Sequence, residues 1–206
     1  MGKDQSLQEC AGCLDQIFAP GAAAPVASSG ALAGTLAATL LASACGTALQ
    51  DCKNEKAEDD LRRIQERAVS LRRDLLALVE RGAEAAEAVA ISRRASRTDD
   101  RERLRALLFA SEVPLRIAES CHALLNLALR ALGRAGIKAI AEVGTGSALA
   151  FSGVVGGIVT SRAYLAGIPS GSGIGATVTR KRAERILREA EALRTQITDR
   201  VRQHLP

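Results

Sequence analysis

The chain has 206 residues, a net charge of +5 and 47% hydrophobic residues, enough for one domain with one core. Aromatics make up 2% and Trp is absent, which excludes nucleic-acid binding by base stacking and demands an aliphatic, close-packed interior. The charge is mostly arginine interleaved with acids, as in Asp59-Asp60-Leu61-Arg62-Arg63 and Arg182-Ala183-Glu184-Arg185. That pattern reads as solvated helix faces, with attraction of an anionic ligand as the second reading.

Asp4 to Phe18 places Leu7, Cys10, Leu14 and Ile17 at helical spacing, predicting a short amphipathic helix that Pro20-Gly21 ends. Pro25 suits the first turn of a second helix, running to about Cys52, in which Gly30 and Gly34 form a small face for close helix approach. No charge interrupts that stretch until Asp51. Asn54 is a candidate N-cap for a third helix with Leu61, Ile64, Ala68, Leu71, Leu75, Leu78 and Val79 inward, continuing past Gly82 to about Ile91. Ser92 to Thr98 reads as an Arg- and Ser-rich connector.

A fourth helix is expected from Asp99 or Asp100, with Pro114 kinking it or removing one hydrogen bond. Ile137 to Gly167 reads as a second low-charge helix, interrupted by Gly144, Gly146, Gly153, Gly156 and Gly157. Pro169 to Gly175 reads as a Gly/Ser loop. A last helix runs from Thr177 or Thr179 with Ile186, Leu193, Ile197 and Val201 inward. Strand alternation is not found. The expected fold is therefore an all-α, up-and-down bundle of about six helices forming one domain over residues 1–206. Glycine-rich faces that need close partners point to self-association.

Ala22 to Gln50 is long enough to span a membrane. Its Ala, Gly, Ser and Thr content, without an aromatic belt or a basic flank, reads instead as a buried helix of a soluble protein. Five cysteines and no secretory leader read as free thiols in a reducing cytoplasm.

Cys10-x-x-Cys13 has the spacing of half a zinc site, but no second pair accompanies it, and no metal or cofactor is expected. Cys45 and Cys52, two turns apart, read as packing. Gly171-Ser172-Gly173-Ile174-Gly175 lacks the preceding strand of a phosphate loop and reads as a connector. Cys121 and His122 are adjacent on a helix and project about 100° apart, so they do not make a nucleophile and base pair. Glu142 is the only charge between Lys138 and Arg162. A lone carboxylate on such a helix suits proton transfer or binding of a ligand cation, and a pair with Lys138 one turn earlier is the alternative. Arg162, near Thr160, Ser161 and Tyr164, could clamp a carboxylate or simply end the apolar helix.

The order of segments resembles the cyclodeaminase/cyclohydrolase family, which includes the formiminotransferase-cyclodeaminase C-terminal domain and bacterial methenyltetrahydrofolate cyclohydrolases. The residues that carry this are Phe18-Ala19-Pro20-Gly21, Gly30-Ala31-Leu32, Leu36-Ala37-Ala38, Glu112-Val113-Pro114-Leu115 with Ala118-Glu119, Glu142-Val143-Gly144, and Arg162. The resemblance implies an all-α homodimer that binds folate near the Pro-Gly loop and the subunit interface. It also implies ammonia release from formiminotetrahydrofolate or hydrolysis of methenyltetrahydrofolate.

The polar groups depart from the family pattern. Its Pro-Gly-Gly-Gly-Ser loop is Pro20-Gly21-Ala22-Ala23-Ala24 here. Its Ser-Asp pair is Ala141-Glu142, and its two Asn are Thr160 and Tyr164. Unmatched polar groups on a pterin cost specificity by orders of magnitude.

The resulting expectation is an enzyme on this scaffold whose small-molecule substrate is no longer folate. Glu142 would be the acid/base, and Arg162 or Tyr164 the anchor. The pocket would be lined by Pro20, Gly21, Ala22, Ala23, Ala24, Ser28, Thr145 and Thr160. The alternatives are a divergent folate enzyme and a non-catalytic dimer.

Overall fold

The computed structural model describes residues 8–9, 11–12, 14–15, 25–94, 100–134, 137–169 and 174–204. Five helices follow one another: α1 (Pro25–Gln50), α2 (Glu55–Arg94), α3 (Asp100–Leu132), α4 (Ile137–Ala166) and α5 (Ile174–His204). No strand occurs among the described residues, so the all-α reading holds. Residues 8, 9, 11, 12, 14 and 15 are also helical. Of the inward face expected there, only Leu14 is described, and it is 43% exposed.

The helix ends follow local chemistry. Pro25 opens α1, where its missing N–H costs nothing. Asn54 caps α2: its Oδ1 accepts from the Ala57 N–H at 3.1 Å, and its carbonyl accepts from the Glu58 N–H at 2.9 Å. Asp100 and Glu102 stand in the first turn of α3, Arg93 and Arg94 in the last turn of α2, each matched to the helix dipole.

Two boundaries differ from expectation. The third expected helix runs on to Arg94, into the expected connector, and α5 begins at Ile174, so Gly175 is helical. α3 continues through Pro114, as expected, whereas the glycines do not interrupt α4. Packing overrides the low helix propensity of glycine there.

That packing is close. A methyl added at Gly157 would lie 2.5 Å from the Pro114 carbonyl oxygen and 2.9 Å from the Ala118 nitrogen, so α4 and α3 touch backbone to backbone. One at Gly153 would meet Cys121 Sγ at 2.5 Å and the Gly30 carbonyl at 2.9 Å, and one at Gly34 would meet the same sulfur at 2.6 Å. The Cys121 side chain occupies the space that glycine leaves on both α1 and α4. Gly30 faces Gly153 and Gly157, Gly146 faces Ala37, and Ser43 reaches Glu142, so α1 and α4 run antiparallel.

These two low-charge helices form the centre. α1 also packs on α2 and α3, and α4 on α3 and α5. Leu61, Ile64, Leu75, Leu115, Ile117, Leu125, Ile140, Ile158 and Ile197 join α2 to α5 in one contiguous aliphatic core, which small buried residues such as Ala31 and Ala38 extend into α1. Ser28–Gln50 and Ala139–Ala166 are long and apolar enough to cross a membrane by length and composition; 39% and 44% of these windows are buried inside the protein.

Candidate functional site

Glu142 sits near the start of α4, partly buried against α1. The Ser43 hydroxyl, 99 residues away in the chain, donates to its Oε1 at 3.1 Å. Its Oε2 is buried and has no hydrogen-bond partner among the described residues. One oxygen is thus oriented from another helix, and no described group holds the other, an arrangement compatible with a positioned acid or base. The alternative partner, Lys138, has its side chain outside the described residues. Sequence reading missed Ser43, because a serine in an uncharged helix gives no signal of a contact that only the fold creates.

Arg162, Tyr164, Thr160 and Ser28 do not join Glu142 within the protomer. Twenty residues of α4 separate it from Arg162, about 30 Å along the axis at ~1.5 Å per residue. Ser28 lies at the start of the antiparallel α1, so it stands at the Arg162 end and is 7% exposed. Thr145 is near Glu142 but exposed. Pro20, Gly21, Ala22, Ala23 and Ala24 lie outside the described residues.

The cluster expected around Arg162 also divides. Thr160 and Tyr164, four apart, share one side of α4, whereas Arg162 projects away from both and is exposed. The Thr160 hydroxyl donates to the Gly156 carbonyl at 2.8 Å, closing its local bond. Burial pushes the half-buried Tyr164 phenol upward, opposed by the nearby Arg93 cation. Ser161 is wholly buried and its hydroxyl has no partner among the described residues.

Cys121 is fully buried, and burial raises its thiol to about 12, so it is not a nucleophile. Burial likewise raises Cys45 to about 11. His122 points elsewhere, 3.5 Å from Glu189 Oε2 on α5. Its pKa is lowered by burial, against the pull of Glu189. Cys10 and Cys13, and residues 171–173 of the Gly/Ser stretch, lie outside the described residues. Cys52 lies just past α1 and packs partly on the core.

Glu112 and Glu119, part of the Val-Pro-Leu segment that carries the resemblance, are occupied. Arg182 of α5 donates to Glu112 Oε2 at 3.1 Å and to Glu119 Oε1 at 2.7 Å, and the Thr179 hydroxyl donates to Glu112 Oε1 at 2.9 Å. Bonding to Glu119 first, then the charges around it, raises the Arg182 pKa. These carboxylates tie α3 to α5.

Among the described residues, one outer strip of α4 has no cover. Ala141, Thr145, Ala148, Ser152, Val155 and Val159 repeat every three or four residues and are all exposed, beside exposed Ser29, Leu36, Thr39 and Ser43 of α1. Leu36 is 57% and Val159 56% exposed, without a charge between Glu142 and Arg162.

The family model described as formiminotransferase-cyclodeaminase matches residues 13–170. The chain belongs to the formiminotransferase-cyclodeaminase family. Among solved structures, it is similar to formiminotetrahydrofolate cyclodeaminase from Thermotoga maritima, with a TM-score of 0.79 and 19% identity over 93% of this chain and 92% of that one. At that identity the likeness establishes the cyclodeaminase fold. No curated protein matches the chain.

Proposed function

We propose that this member of the formiminotransferase-cyclodeaminase family is an enzyme performing ring closure, ring opening or C–N chemistry on a small molecule other than folate. Glu142 is its general acid/base. The observation that carries this is the carboxylate itself: held at Oε1 by Ser43, with a buried Oε2 that no described group uses. The loss of glycine and serine at Ala22, Ala23 and Ala24, and of two amides at Thr160 and Tyr164, supports a substrate with fewer polar groups than a pterin.

The reading includes a homodimer with composite sites. Arg162 is too far along α4 to serve the same substrate as Glu142 within one protomer. If two copies of α4 cross antiparallel at Ser152, Glu142 of one protomer stands opposite Arg162 of the partner subunit, since each lies ten residues from the crossing. The small, uncharged outer strip suits helix axes about 8–10 Å apart.

A second reading, favoured by the family match, keeps methenyltetrahydrofolate or formiminotetrahydrofolate as substrate. Titration with methenyltetrahydrofolate separates the two: micromolar binding with turnover selects folate, and millimolar or absent binding leaves the new substrate.

Once an activity is in hand, Glu142→Gln and Arg162→Ala are each expected to abolish it; if both leave it unchanged, the site is wrong. Mixing the two inactive variants is expected to restore about a quarter of wild-type activity, through heterodimers with one intact composite site. No recovery on mixing would place both groups at independent tasks.

A further inference from the structure

We infer that the end of each protomer remote from its own Glu142 carries a second binding site, for a small amphipathic anion: a carboxylate or phosphate monoester on an apolar body. A cavity of about 370 Å³ opens where α3 begins and the chain turns after α4. Its apolar lining comes from Leu104, Leu107 and Ile168, and its polar lining from Asp100, Arg101 and Arg103. Leu107 and Ile168 are each 4% exposed, so the apolar wall is part of the packed protein. The volume falls within the ~300–1,000 Å³ usual for small-molecule sites.

The charge of the molecule concentrates at this end. Among the described residues, 91–94 and 100–105 carry five arginines against two acids, and 160–169 and 174–181 carry two arginines and a lysine with no acid. That is a surplus of six, or five when Glu112, which accepts from Thr179, is counted with these segments.

The contacts tie these segments together in space. Arg180 donates to the Leu165 carbonyl at 2.9 Å, and Arg93 acts on Tyr164. A low-dielectric wall beneath a one-signed field concentrates anions, and a guanidinium presents a planar fork that matches carboxylate and phosphate oxygens. Asp100 in the same lining disfavours a bare anion. The apolar wall therefore decides for a ligand with a hydrophobic body.

The test is calorimetric titration of the whole chain with 4-phenylbutyrate, phenyl phosphate, 4-phenylbutyramide and inorganic phosphate. One or both aromatic anions are expected to bind saturably, the tighter one identifying the acid group, and the neutral amide at least about tenfold more weakly. Arg103→Gln, and independently Arg101→Gln, should weaken anion binding about tenfold and leave amide binding unchanged, with helicity checked by circular dichroism. Arg62→Gln, at an exposed pair on α2, should change nothing. Equal binding of anion and amide, equal binding of inorganic and phenyl phosphate, or no saturable binding of either aromatic anion would overturn the site.

Discussion

The two faces of α4 are built from the same kind of residue and meet different surroundings. The inner face, with Gly146, Gly153 and Gly157, lies against the backbones of α1 and α3 so closely that a methyl group does not fit at two of the three positions. The outer face, from Ala141 to Val159, is equally small and uncharged, yet its residues 141, 145, 148, 152, 155 and 159 stay exposed among the described residues. Small residues in a helix say that something can come close. Which side is already closed is a property of the packed molecule.

The sharpest way to break this contrast is Gly157→Ala. The new methyl would collide with the Pro114 carbonyl, a backbone atom that cannot turn aside, and a loss of about 3 kcal/mol in urea unfolding is expected. Next comes the outer face. Ser152→Glu should leave protomer stability within about 0.5 kcal/mol while weakening self-association at least about tenfold in sedimentation. A monomeric wild-type protein would remove the composite site.

Gly144→Ala sharpens the comparison from the opposite side, since its methyl would make ordinary contact with Val201 at 3.5 Å. Higher helix propensity should then raise stability by about 0.8 kcal/mol.

The smallest effect concerns His122, whose folded pKa lies below its unfolded value. The unfolded chain binds the proton more readily, so the contribution of neutral His122 is present above the unfolded pKa of about 6.5 and lost as pH falls through the folded one. Between pH 7 and pH 5, His122→Gln should flatten the pH dependence of the unfolding midpoint.

Much of the scaffold was legible because helix signals are local. Pro25, Asn54 and Asp100 marked starts, and Leu61, Ile64, Leu71 and Leu75 marked a buried stripe, each through interactions spanning a few residues. The glycines of α4 misled for the same reason. Their local cost is real, but contacts from distant segments outweigh it.

The site was legible in part. Glu142 was conspicuous as one charge in an uncharged stretch, and its hydroxyl donor was not, because Ser43 reaches it across 99 residues. Thr160, Arg162 and Tyr164 looked like one cluster in sequence and point to two sides of the helix.

The sequence by itself determined the helical class and the division into two uncharged helices among charged ones, because periodicity, caps and composition act within a few turns. Only the tertiary structure decided that α1 and α4 pair antiparallel, that Cys121 fills the gap between their glycines, and that Glu142 and Arg162 stand at opposite ends. Those facts depend on which distant surfaces meet, and the packing of backbone on backbone settles that, whereas the character of any single residue does not.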